Sequence, residues 1–138
     1  MLYRSLYEAP LQMLCDSPTK YEKNMECFQF MAKTPVVWDA TVGLGGCPES
    51  FAAAARKAKN GSWYAAGITN KDPRDFVLKA GFLGAGEWVA EIFRDAGDSD
   101  TSPKKYVHET KTVRSGEELS FHMASGGGFV VHFTKEAK

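Results

Sequence analysis

The residues most able to do chemistry are scattered acids, histidines and large aromatics. Asp95, Asp98 and Asp100 crowd one stretch. Calcium takes several oxygen ligands from a flexible loop, so these carboxylates could cradle it. The glycine and distal glutamate of an EF-hand are missing, and a solvated acidic loop is the simpler reading. His108, His122 and His132 fall in separate segments, the last two at polar positions of neighbouring strand candidates. A metal pair there would need a third ligand and an outer shell, neither of which the spacing supplies, so surface histidines are the plainer reading. Trp38, Trp63 and Trp88 carry flat apolar rings that could stack on the C–H faces of sugars. Trp63 and Trp88 sit in regularly alternating segments and read as core, which leaves Trp38 as the candidate sugar-stacking residue. Gly126, Gly127 and Gly128 open a strand rather than a helix and lack the Lys-Ser/Thr that completes a phosphate cradle, so they read as a turn. Acid–base work needs two carboxylates facing one pocket, and Glu8, Asp16, Glu22 and Glu26 cannot be shown to do so from spacing. No Ser–His–Asp arrangement is legible either. Cys15, Cys27 and Cys47 are odd in number and do not form a CxxC pair, so small buried or semi-buried thiols are favoured over one disulfide plus a free thiol. The residues alone give no complete active site.

The bulk numbers bound the rest. A chain of 138 residues with 43% hydrophobic and 25% charged content suits one soluble globular domain. Lys plus Arg balances Asp plus Glu at 17 each, so no global field favours nucleic acid or an anionic membrane. No apolar run reaches the roughly 20 residues that span a bilayer. Arg4 and Glu8 interrupt what would be a signal-peptide core at the N-terminus.

Several elements must position these side chains. Leu2, Tyr3, Leu6 and Tyr7 predict a helix that Pro10 ends, and 11–14 reads as a short buried strand. Thr19 and Glu22 form a capping box for a helix over 20–33, with Tyr21, Met25, Phe28 and Met31 as its core-facing stripe. A helix–short strand–helix unit cannot cover its own apolar surfaces and belongs with a larger α/β body. After Pro35 the pattern becomes β. Strands are predicted over 36–42, ended by the glycines of 43–48, and over 51–57. Asn60-Gly61 predicts a type I′ hairpin, and Pro73 marks a strand start, giving an antiparallel meander through 60–97. Trp88, Ala90 and Ile92 face one side of the next strand, Val89, Glu91 and Phe93 the other. The polar segment 106–113 reads as a strand at an edge or on an exposed face. Leu119, Phe121 and Met123 point inward from 118–123, and Phe129, Val131 and Phe133 form the last inward set. About eight strands at this spacing predict a mainly β protein, an antiparallel β-sandwich.

The segment 7–22, Tyr-Glu-Ala-Pro-Leu-Gln-Met-Leu-Cys-Asp-Ser-Pro-Thr-Lys-Tyr-Glu, resembles the end of the catalytic barrel in glycoside hydrolase family 97. Thr34-Pro-Val-Val-Trp-Asp-Ala-Thr, Trp63-Tyr64 through Thr69-Asn70, Pro73-Arg74-Asp75, Ala90-Glu-Ile-Phe-Arg-Asp and Gly126-Gly-Gly-Phe are similar to its C-terminal β domain. The resemblance covers nearly the whole chain in order. It implies that 1–33 is the terminal helix–strand–helix portion of a (β/α)8 barrel and that 34–138 is the C-terminal antiparallel β-sandwich. These enzymes are α-glucosidases and α-galactosidases, usually exported to the periplasm. Their catalytic carboxylates and calcium-binding glutamates lie earlier in the barrel, so no catalytic residue, metal ligand or cofactor is expected in this chain, and calcium belongs to the full-length parent. Asp16 would follow the last barrel strand, on the face where barrel enzymes do their chemistry. Met1 would fall inside a barrel helix, as in an excised piece, a degradation product or a truncated gene. The expected role is a non-catalytic structural region that braces the catalytic barrel, its missing partner. Left alone, the apolar stripes of 1–33 should repack on the sandwich or drive self-association. The alternative is a stand-alone carbohydrate-binding or protein-interaction module that takes an oligosaccharide. Neither nucleic acid nor membrane is an expected partner.

Overall fold

Alternating apolar and polar residues fold most of the described residues into strands. The computed structural model describes residues 5–7, 19, 24–97, 99 and 105–135. Helix α1 (Met25–Lys33) is followed by β1 (Ala40–Cys47), β2 (Phe51–Lys57), β3 (Trp63–Thr69) and β4 (Arg74–Lys79). A short 3₁₀ turn (Ala80–Phe82) leads into β5 (Glu87–Asp95), β6 (Tyr106–Arg114), β7 (Glu118–Met123) and β8 (Gly128–Lys135). Six strands form one sheet in the order β1-β2-β3-β8-β5-β6, and β4 pairs with β7 in a second, two-stranded sheet. Every pairing is antiparallel. The mainly β sandwich read from the sequence is the architecture observed, with one described helix before it.

The large sheet is covered on both faces. Its inner face meets the small sheet. Ala55, Ala65, Val131 and Ile92 align across β2, β3, β8 and β5, and Trp63, Phe133 and Ala90 align in the next row but one. All of them join Leu78, Leu119, Phe121 and Met123 in one core. The outer face meets α1: Phe30 packs with Tyr64, Ala66, Phe93 and Val130, with Leu6, Cys27 and Trp38 around them. Strands β3 and β8 are therefore buried on both sides. The expected inward sets from β7 and β8 are in the core, and Val130 adds a second buried face to β8.

The inter-sheet contact centres on Phe129. Its ring stacks on Phe121 at 4.2 Å and lies 5.6 Å from Phe76, so β8, β7 and β4 meet at one aromatic stack. Gly67 stands opposite Phe129 on β3, and a Cβ there would lie 2.5 Å from the ring. Gly128 has the same constraint against backbone, because a Cβ on it would overlap the Gly67 carbonyl oxygen. The turn before β8 is held by Asp95, whose Oδ2 accepts from the amides of Ala124 at 2.9 Å and Gly128 at 2.7 Å.

Four expectations are corrected. The meander predicted over 60–97 breaks after β3: β4 crosses to the small sheet and β5 returns to pair with β6 and β8. Cross-strand burial rather than turn length chose the partners. The hairpin at Asn60-Gly61 exists, but only Gly61 has positive φ, at 85°. Ala58 accepts from the Gly61 amide and donates its own amide to Ser62, while Asn60 Oδ1 accepts from the Ser62 amide and hydroxyl. This is a three-residue loop closed by a left-handed glycine in place of a type I′ turn. The glycines after residue 42 do not end β1. The strand runs from Ala40 to Cys47 through a bulge between Gly43 and Gly45, which turns Leu44 onto the core. Helix α1 begins at Met25 because Asn24 is not helical (φ −131°, ψ 57°). Its sheet-facing residues are Cys27 and Phe30, whereas Met25 is 45% exposed and Phe28 and Met31 are partly exposed. Tyr21, the remaining member of the predicted stripe, lies outside the described residues, as do the short strand over 11–14 and most of the first predicted helix.

The glycine constraints are testable by urea unfolding. Gly128→Ala should destabilise the chain by about 2–3 kcal/mol through overpacking against backbone. Gly43→Ala, where a Cβ meets nothing within 4 Å, should stay within about 0.5 kcal/mol of wild type.

Candidate functional site

A row of polar side chains crosses the outer face of the large sheet beneath α1. The register aligns Arg56 on β2, Tyr64 on β3, His132 on β8 and Glu91 on β5. Period-two alternation puts them there: each follows or precedes a residue of the inner core by one position. Arg56 is 2% exposed, and its guanidinium donates to the carbonyls of Tyr7 at 2.7 Å and Leu6 at 2.8 Å. It also lies 5.7 Å from the Trp38 ring centre. Tyr64 donates its hydroxyl to the Lys33 carbonyl at 3.2 Å, at the last turn of α1, and its ring stacks on His132 at 4.2 Å. Glu91 stands between two imidazoles, 3.3 Å from His108 Nε2 and 3.8 Å from His132 Nδ1. His108 stacks on Phe93 at 4.0 Å and reaches Glu26 of α1 at 3.4 Å. The row thus ties the helix and the residues before it to the sheet at three points.

Burial sets the electrostatics. It pushes the Tyr64 phenol up to about 12, with the Glu91 charge adding to the effect. Burial also holds His132 below its ordinary value, while Glu91 pulls the other way. Polar groups with their partners supplied by helix carbonyls and neighbouring side chains give the interface directional specificity. The arrangement is covered by α1, so it holds an element in place instead of opening onto a substrate.

Two depressions open elsewhere. One, of about 490 Å³, lies between the sheets and brings carboxylates from three strands, Asp75, Glu109 and Glu118, to one space. Each has a cationic or histidine neighbour: His122 at 2.7 Å from Asp75, Arg94 at 2.8 Å from Glu109 and Lys79 at 3.1 Å from Glu118. These are solvated surface pairs, which contribute little individually. The other depression, of about 540 Å³, is lined by Gly46, Cys47, Pro48, Phe51, Ile68 and Asn70 beside the β1–β2 turn.

The candidates read from the sequence are separated by the fold. Trp63 and Trp88 are core residues, as expected, the latter donating Nε1–H to the Gly84 carbonyl at 2.8 Å. Trp38 is half-buried and meets Tyr64 edge-on at 5.4 Å. His122 and His132 are not on adjacent strands, because β7 belongs to the small sheet and β8 to the large one. Asp95 serves the turn before β8, while Asp98 and Asp100 lie outside the described residues. Asp16 also lies outside them. Among the described residues no three His, Cys, Asp or Glu side chains converge on a metal position. No helix among them is long and apolar enough to cross a membrane. Sequence reasoning missed Arg56, Tyr64 and Glu91. The signal was an arginine closing an alanine run, and a glutamate on the same strand face as Val89 and Phe93.

The two perturbed groups bound a pH window. Tyr64 holds its proton more tightly folded than unfolded, so its contribution is complete below about pH 10 and is lost as pH rises toward 12. His132 binds its proton less tightly folded than unfolded, so its contribution is complete above about pH 6.5 and is lost as pH falls from there. Chemical denaturation across pH should show both limbs. Tyr64→Phe should flatten the alkaline limb and cost about 1 kcal/mol at neutral pH for the lost hydrogen bond.

Comparison with known proteins places this fold. The family model described as "Glycosyl-hydrolase 97 C-terminal, oligomerisation" matches residues 37–134. A retaining alpha-galactosidase of Bacteroides thetaiotaomicron is 33% identical over 91% of this chain, which covers 19% of that protein. A probable retaining alpha-galactosidase of Streptomyces bingchenggensis is 31% identical over 90% of this chain and is covered over 18% of its length. Among solved structures, a glycoside hydrolase family 97 enzyme from Pseudoalteromonas sp. strain K8, in complex with panose, superposes with a TM-score of 0.85 at 25% identity, over 88% of this chain and 20% of its own. The chain thus spans about a fifth of the length of the relatives it matches. It belongs to glycoside hydrolase family 97, as that family's C-terminal oligomerisation domain.

Proposed function

We propose that this chain is the non-catalytic C-terminal region of an exo-acting α-glycoside hydrolase, that it braces the catalytic barrel, and that it mediates self-association. The observation that carries the bracing role is the two-faced helix α1. Cys27 and Phe30 fill the sheet side, and Met25, Phe28 and Met31 present a second apolar face. A helix with apolar residues on opposite sides suits a position between two bodies, here the sandwich and a barrel preceding it. The self-association role is supported by the family description over residues 37–134.

The two relatives described above are named for retaining or probable retaining alpha-galactosidase activity, which favours an α-galactoside as the parent's substrate. The parent's calcium, its export to the periplasm or beyond, and Asp16 on the active-site face of its barrel belong to the same proposal. The carbohydrate-binding alternative rests on an exposed aromatic platform. Two of the three tryptophans are in the core and Trp38 is half-buried against Tyr64, which favours the structural role.

Two assays test the reading. The purified 138-residue chain should leave aryl α-galactosides and α-glucosides unhydrolysed, and turnover above a blank would overturn the non-catalytic role. Sedimentation velocity should show species larger than the 15.2 kDa monomer, growing with concentration. A clean monomer throughout the micromolar range would overturn self-association.

A further inference from the structure

The two edges of the large sheet are unlike one another. Strand β6 carries His108, Glu109, Lys111 and Arg114, and its charges engage Arg94, Glu117 and Glu87. Charged side chains whose partners lie within the same copy discourage addition of a further strand at this edge. Strand β1 reads Ala-Thr-Val-Gly-Leu-Gly-Gly-Cys and carries no charge in its 8 residues. Every residue of it except Leu44 is exposed. Val42 is 39% exposed, and Val36 and Val37 just before the strand are 38% and 51% exposed. A bare edge of this kind presents a row of backbone donors and acceptors. Its glycines lower the steric barrier to a second backbone, and a Cβ at Gly43 would meet nothing within 4 Å. The region whose family description is oligomerisation, residues 37–134, contains this strand together with the rest of the sandwich.

We infer that β1 is the self-association surface, pairing antiparallel with β1 of a second copy about a twofold axis. This rests on the self-association reading above and names its partner and its strand. A neutral strand meets its own copy without repulsion. A twofold contact is satisfied by one strand from each copy and therefore closes at a dimer, whereas pairing β1 with β6 of another copy would propagate. The bulge between Gly43 and Gly45 limits pairing to the short stretches on either side, which suits a specific pair better than an open-ended stack. Val36, Val37 and Val42 then gain apolar cover at the rim.

Sedimentation velocity on three forms of the chain tests this. Wild type should dimerise reversibly. Val42→Lys places two like charges at the joint and should weaken the dimer at least about tenfold. Val77→Lys makes the same change at a 47% exposed valine of the small sheet and should leave association unchanged. Matching thermal midpoints would establish that both variants fold. Amide exchange on the wild type needs no variant: amides of β1 should slow as concentration rises, and those of β6 should not. Dimers that persist in Val42→Lys, with β1 exchange independent of concentration, would overturn the β1 assignment while leaving self-association standing. A monomeric wild type would overturn both.

Discussion

The ring of Phe129 lying across Gly67 is the contact on which the sandwich depends. The missing side chain at Gly67 lets the ring drop against β3, where a Cβ would lie 2.5 Å away. From that position it stacks on Phe121 and meets Phe76, so one residue of β8 touches both strands of the small sheet. Gly128 must also be bare, because a Cβ on it would overlap the Gly67 carbonyl oxygen. Close packing of this kind leaves no room for an added methylene. The turn that delivers Phe129 is in turn fixed by Asp95 at the end of β5, the other neighbour of β8. Placement of β8 between β3 and β5 therefore organises both sheets at once.

Once β8 is central, the outer face has to be covered, and the sequence covers it with a mixed surface. Phe30, Val130, Phe93 and Ala66 provide the apolar part. Arg56, Tyr64, His132 and Glu91 provide groups that must find partners when buried. Arg56 and Tyr64 find them in carbonyls of the chain that lies above, those of Leu6, Tyr7 and Lys33, while Glu91 faces His132 and His108. An all-apolar face would admit many helix orientations. Carbonyl contacts at defined distances admit few, so burial supplies the affinity and the polar row supplies the register.

How much of this was legible follows from which signals were local. The faces of β5, β7 and β8 were readable because alternation is a property of one strand, and Trp88, Leu119 and Phe133 obeyed it. The polar edge strand β6 was readable from its charges. Partner choice was not, since β3 and β4 are joined by a short turn that is equally compatible with pairing or with crossing to another sheet. The continuation of β1 through its glycines was hidden because a bulge is a relation between two strands. The helix stripe was misassigned because Met25, Phe28 and Met31 do form an apolar face, and nothing in α1 itself says which of its two faces meets the sheet. Tyr64 and Glu91 gave no functional signal because their roles exist only in register with β8 and α1.

The same topology limits how the domain can meet a partner. Strands β3 and β8 are buried on both sides, so the large sheet has no free face at its centre. What it can offer are its two edges and the outward side of α1. Charge shields the β6 edge, whereas the outward side of α1 carries Met25, which is 45% exposed. Strand β1 is the opposite edge from β6, and its neighbour β2 carries Arg56, which holds the Leu6 and Tyr7 carbonyls. The two edges are thus unlike, one charged and one neutral, and the strands between them are paired on both sides. That continuity is a consequence of placing β8, and with it Phe129, in the middle of the sheet.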